Sequence, residues 1–212
     1  MTPESQGGTF NSQFEIQQTD INLLTADVSQ ASVEDGVTYQ VVPRLAFAYS
    51  SSLLEQIDLF WNHPSEGNSL FGAKYQFLGA ARTAKGAGHK MAITAAVGGN
   101  DYETDGVDSV EFELKGQEFQ FLYGYRLNEY FLGYSNLSYA RYNFLGEISS
   151  NDPEIDGLKP NYETKIVSLY GGAEFSFSSF FAKVECGYQR LKTTFSANKS
   201  HFIYGYALGI SW

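Results

Sequence analysis

The sequence predicts an all-β protein, a transmembrane antiparallel up-and-down β-barrel of about ten strands with about eight as the alternative count. Three observations predict it. Side chains alternate with period two through most of the chain, the signature of strands. One face of the alternation is bulky and apolar, while the other is small, polar or charged. The chain is 43% hydrophobic and 16% aromatic, yet it contains no run of about 18 apolar residues that could cross a bilayer as a helix.

Taken in order, the first strand is expected over 12–23, where the pattern is weak and is accepted because closed single-chain barrels normally have an even strand number. Residues 37–50 set Val41, Leu45, Phe47 and Tyr49 outward against Gln40, Arg44, Ala46 and Ala48, although Pro43 removes a ladder hydrogen bond. Residues 54–62 set Ile57, Leu59 and Trp61 against Gln56 and Asp58, and 69–79 set Phe71, Ala73, Tyr75 and Phe77 against Gly72, Lys74 and Gln76. In 89–99, Met91, Ile93, Ala95 and Val97 oppose Lys90, Thr94 and Gly98. In 110–127, Phe119, Phe121, Tyr123 and Tyr125 oppose Glu118, Gln120, Gly124 and Arg126.

Residues 129–146 are strand-like, but Asn136 and Arg141 make either phase imperfect. Residues 162–177 place Val167, Leu169, Ala173, Phe175 and Phe177 outward, with Ser168, Tyr170, Gly172, Glu174 and Ser176 inward. Residues 179–196 place Phe180, Ala182, Val184, Cys186 and Tyr188 opposite Lys183, Glu185, Gly187 and Gln189. A two-residue hairpin at Ser178 and Ser179 sets Glu174 across from Lys183. The last strand, 201–212, alternates Phe202, Tyr204, Tyr206, Leu208, Ile210 and Trp212 with a face of His201, Ile203, Gly205, Ala207, Gly209 and Ser211 that is mostly small. A water-facing side would carry Lys, Glu and Thr, so the small face belongs inside and the apolar face meets lipid. A soluble lipocalin-like barrel is the inverted alternative.

Short turns near Ser51, Asn128 and Ser178 alternate with longer acidic connections at 24–37, 100–109 and 147–161. This is how such barrels distribute periplasmic turns and external loops, and it sets Trp212 at the periplasmic end. The segment 80–90 is the exception, a longer turn on the periplasmic side. Its "KGAGHK" lacks phosphate-loop spacing and reads as a flexible turn. The whole chain, 1–212, forms one domain with a flexible terminus at 1–11. "MTPESQGGTF" is no signal peptide, so for an exported protein this sequence is expected to be the mature form with an added Met1.

The net charge of -10 argues against a nucleic-acid partner. A single cysteine, Cys186, excludes an internal disulfide and a cysteine metal cluster. The inward charges Arg44, Asp58, Lys74, Lys90, Glu118, Arg126, Glu174, Lys183 and Glu185 are nearly balanced in sign, and in a narrow lumen they should pair. No G-x-S-x-G elbow is present. His63 and His201 lie towards the outer rim and are the candidates for catalysis, but Ser200 points to the opposite face from His201. Asp101, Glu103 and Asp105, and then Asp152, Glu154, Asp156 and Glu163, repeat a D-x-E-x-D-G phrase close to calcium-loop spacing. Solvated acidic loops are the alternative reading.

The terminal "YGYALGISW", with Tyr204, Tyr206, Leu208, Ile210 and the final Trp212, resembles the assembly signal of small outer-membrane β-barrel proteins of Gram-negative bacteria, though Ile210 stands where an aromatic is common. The resemblance implies an integral outer-membrane location. It also implies a lipid bilayer and lipopolysaccharide around the barrel, and partnership with the outer-membrane assembly machinery. From the residues we expect a monomeric, non-enzymatic barrel without cofactors, with a narrow ion-paired lumen and acidic external loops for surface interaction. A narrow passive channel or porin, and a barrel-embedded lipid A-modifying enzyme or protease, are the alternatives.

Overall fold

Period-two alternation becomes the wall of a closed barrel. The computed structural model describes residues 1–6, 12–26, 37–64, 69–84, 86–104, 109–151, 156–194 and 199–211, with backbone alone for 12–48. The strands are β1 (Ser12–Ala26), β2 (Val37–Leu54), β3 (Ile57–Pro64), β4 (Ser69–Leu78), β5 (Gly88–Thr104), β6 (Ser109–Arg126), β7 (Phe131–Ser149), β8 (Asn161–Phe177), β9 (Phe180–Thr193) and β10 (Lys199–Ser211). Each pairs antiparallel with its chain neighbour, and β1 closes on β10 through pairs such as Ile16↔Leu208.

Four connections share one end of the barrel. Glu55 and Gln56 join β2 to β3, so the turn expected near Ser51 lies further along, because β2 continues to Leu54 through an irregularity after Ser52. At the β6–β7 turn, Asn128 Oδ1 accepts from the Tyr130 and Phe131 amides, each at 2.9 Å, an Asx turn. Ser178 takes φ 57° at the first position of the Ser178–Ser179 turn.

The fourth connection, 79–87, is partly folded into the barrel, with Gly79, Ala80, Ala84 and Ala87 left exposed. It turns inward through a 3-10 turn, Arg82–Ala84, and Ala81 is buried. A second departure concerns 100–109. β5 runs to Thr104 and β6 starts at Ser109, so Asp101 sits on a strand opposite Glu113 rather than in a long loop.

Pro43 lies opposite Asp20 of β1, beyond Pro64, where the β3 ladder ends. There β2 has one open edge among the described residues, a setting that tolerates proline. The ambiguity over β7 also resolves. Leu132, Tyr134, Asn136, Ser138 and Ala140 are buried inward, which puts Leu137, Tyr139 and Arg141 on the outside. Asn136 finds its partner across the wall in Gln120 Oε1 at 2.8 Å.

The outer wall is apolar. Val167, Leu169, Phe175 and Phe177 on β8, and Phe202, Tyr204, Tyr206 and Leu208 on β10, are all exposed. Cys186 is also on the outside, as a free thiol. From Val167 to Phe177 the band spans about ten residues, which at ~3.3 Å per residue and ~40° tilt rises ~25 Å, the thickness of a lipid-facing girdle. Exposure of so much contiguous apolar surface marks a membrane-spanning barrel.

Inside, Phe60, Leu70 and Ala96 form a small apolar cluster against which Met1 packs. Gly72 is what admits the Phe60 ring. A Cβ there would lie 2.4 Å from the Ala95 carbonyl oxygen and 2.6 Å from the ring. Gly72→Ala is therefore expected to destabilise the barrel by about 1–3 kcal/mol, read as a lower temperature for conversion of the folded band on gels.

Candidate functional site

The turn end of the lumen holds a dense, buried charge cluster. Period two aims Asp58 (β3), Lys74 (β4), Lys90 (β5), Arg126 (β6), Glu174 (β8) and Lys183 (β9) inward, and all six are buried. Lys74 Nζ lies 2.8 Å from Asp58. Glu174 stands opposite Lys183 in register, with the charged atoms 4.0 Å apart. Water is excluded at this level, so each ion depends on its protein partners.

The sequence reading missed two members of the cluster. The first is Arg82, carried in by the bent β4–β5 connection, whose guanidinium lies 2.8 Å from Glu174 and donates to Ser176 Oγ at 3.2 Å. It also stacks over Phe181, with 4.9 Å to the ring centre. An arginine set among alanines, in a turn that also carries Thr83 and Lys85, was the available signal.

The second is the amino-terminal segment. Residues 1–6 are not a flexible tail. They enter the lumen, and Thr2, Glu4, Ser5 and Gln6 are buried there. Glu4 receives two bonds from Arg126, from Nε to Oε1 at 2.6 Å and from the guanidinium to Oε2. Lys90 approaches Glu4 to 3.6 Å.

The backbone of this segment is bound as closely as its side chains. The Ser5 amide donates to Gln76 Oε1, the Gln6 amide donates to both Asp58 oxygens at 3.0 and 3.1 Å, and the Arg82 amide donates to the Ser5 carbonyl at 2.8 Å. Lys74 Nζ donates to the Glu4 carbonyl. Gly124 leaves room for Pro3, since a Cβ would fall 2.7 Å from the proline ring. The terminal amine reaches to 3.7 Å from Glu185, which also accepts from Tyr134 at 2.6 Å. The segment is thus bonded on all sides, like a core strand.

Glu118, expected among the ion pairs, instead accepts from Gln120, which is bonded in turn by Asn136. The lumen charges therefore gather near the turns, and hydrogen-bonding side chains take over above them. The Arg44 side chain lies outside the described residues.

The histidines do not converge. His63 faces outward, stacked on Trp61 at 5.2 Å with Nδ1 2.6 Å from Ser69 Oγ. His201 faces the lumen, its Nε2 buried without a partner, while Ser200 is exposed on the other face. The wall separates the two candidates. For the acidic phrases, Asp105, Asp152, Glu154 and the Glu103 side chain lie outside the described residues. Glu163 is not free to act as a metal ligand with Asp156. It points outward and its carboxylate is held by Arg141 and, at 2.5 Å, by Lys165, while Asp156 Oδ1 accepts from the Ser150 amide at 3.0 Å. No cluster of metal-ligating side chains occurs among the described residues. Tyr204, Tyr206, Leu208 and Ile210 form the outer face of β10, and Trp212 lies outside the described residues.

No protein-family model matches the chain, and no curated protein matches it. Among solved structures, it is similar to Ail, the attachment invasion locus protein of Yersinia pestis, at 12% identity over 97% of this chain and 100% of that chain, with a TM-score of 0.44. The same protein in complex with the heparin analogue sucrose octasulfate matches at 13% identity over 97% and 100%, with a TM-score of 0.46. The outer membrane channel DcaP of Acinetobacter baumannii matches at 7% over 99% of both chains, with a TM-score of 0.25. Identities this low leave the function of this barrel to be read from its own residues.

Proposed function

We propose that the protein is a non-enzymatic, integral outer-membrane barrel whose lumen is stoppered at the turn end by its own amino-terminal segment, and that it serves as a scaffold presenting loops at the cell surface. The burial of Glu4 between Arg126 and Lys90 carries the stoppered lumen. A carboxylate buried in the lumen is held there by its cations, and removing it would leave Arg126 and Lys90 buried without their counter-charge. The apolar girdle carries the membrane location.

Both parts are testable. Leu137, 51% exposed on the outer wall opposite Leu169, is expected to cost about 2–4 kcal/mol when replaced by arginine, because it faces hydrocarbon. In a soluble barrel the same Leu137→Arg change would meet water and leave stability unchanged, so a neutral result, together with a monodisperse protein in plain buffer, overturns the membrane reading. The unmodified barrel in a planar bilayer is expected to stay closed. Steady stepwise conductance of the intact chain would favour the passive channel instead.

A further inference from the structure

The outer wall carries a feature that the stoppered lumen does not use. Although the chain has a net charge of -10, three strands present cations side by side at the edge of the apolar girdle away from the turns. Arg141 on β7 pairs in register with Lys165 on β8, and Lys165 with Lys192 on β9. Residues in register share a face, so all three point outward with Arg190, which is two residues from Lys192. Arg190 and Lys192 are exposed.

Four cations face one carboxylate, Glu163, which bonds Arg141 and Lys165. Arg141 Nε remains buried with no acceptor. The Arg141 side chain is nonetheless partly exposed, and with Lys165, Lys192 and Arg190 it leaves this surface short of negative charge, which an anion seated across it would supply. Directly towards the midplane lie Tyr139, Val167 and Tyr188, all exposed. Phosphate-binding groups thus stand above a surface that fits acyl chains. Elsewhere on this edge, among the described side chains, Lys115 on β6 is outward but is paired with Glu113 at 2.6 Å. β3 carries Trp61 and His63, and β10 carries Ser200 and Phe202, so the unbalanced cations lie on β7 to β9.

We propose that this patch seats a lipid whose head group carries more than one phosphate, in the leaflet on the side of the longer connections. Width selects the occupant. Arg141 to Lys192 crosses two inter-strand gaps, about 10 Å, more than a single phosphodiester can bridge. The site rests on the membrane-spanning reading and adds to it a specific lipid position.

The test is native mass spectrometry of the refolded barrel in a non-ionic detergent, titrated with bisphosphorylated lipid A, its monophosphorylated form, and phosphatidylglycerol. Bisphosphorylated lipid A is expected to be retained best, and the double variant Arg190→Gln/Lys192→Gln to bind it roughly tenfold more weakly. Lys159→Gln, which removes an exposed cation paired with Glu147, is expected to change nothing. Comparing lipids on the unmodified protein needs no variant to fold. Equal retention of all three lipids, or equal loss with Lys159→Gln, overturns the site. Detergent dependence and heat-modifiable gel migration report separately on the barrel, so they distinguish failure of the site from failure of the membrane reading.

Discussion

Glu174→Ala is expected to destabilise the folded barrel by about 3–5 kcal/mol, the cost of removing one partner from a buried ion cluster. Glu174 is fully buried and gathers Arg82 at 2.8 Å, Arg126 at 3.4 Å and Lys183 at 4.0 Å. Alanine leaves Arg82 and Lys183 without their buried carboxylate, and Arg126 with Glu4 as its one remaining carboxylate. The cost comes from that stranded charge rather than from the pairs themselves, since a buried ion pair gains little over a well-packed apolar core. Glu174→Gln, which keeps an acceptor for Ser176 and Arg82, should cost less. The check is the temperature at which the compact band converts to the unfolded one. Equal midpoints for Glu174→Ala and the parent would mean that water reaches the cluster and solvates the cations.

The second large effect concerns permeation. A chain lacking residues 1–6 is expected to conduct in planar bilayers where the full chain stays closed. Removing the segment takes Glu4 from Arg126 and Lys90, and takes the Glu4 carbonyl from Lys74. The opening is then lined by cations deprived of an acid, so the current should favour anions. Gly124→Leu reaches the same state by filling the space occupied by Pro3, without altering any charge. A truncated chain as silent as the parent, with heat-modifiable migration intact, would assign closure to the inward-bent Arg82 connection instead.

How far the sequence alone could go follows from the range of each interaction. Glu174 and Lys183 were legible as partners because a two-residue turn at Ser178 and Ser179 sets their register locally. The strand faces were legible for the same reason, since period two needs no more than neighbouring residues. β7 resisted because Asn136 and Arg141 looked misplaced on either face. Each finds a partner on an adjacent strand, Asn136 Nδ2 in Gln120 and the Arg141 guanidinium in Glu163. The inward charges held a partial hint. With Glu118 held in a hydrogen-bonded group, the cations near the turns are short of an acid, and Glu4 supplies it.

The chain's own alternation determined an all-β barrel with an apolar wall and a charged lumen, because each residue's face depends only on its parity along the strand. The weakly patterned β1 that brings the strands to ten rested on the even-number rule. Tertiary structure alone decided what fills the lumen and what gathers on the wall. Glu4 meets Arg126 across 122 residues, and Arg82 meets Glu174 across 92. Arg141, Lys165 and Lys192 become neighbours only through the registers of three strands. Such meetings depend on closure of the barrel, which brings distant charges into one small volume where they must pair, and no local pattern encodes them.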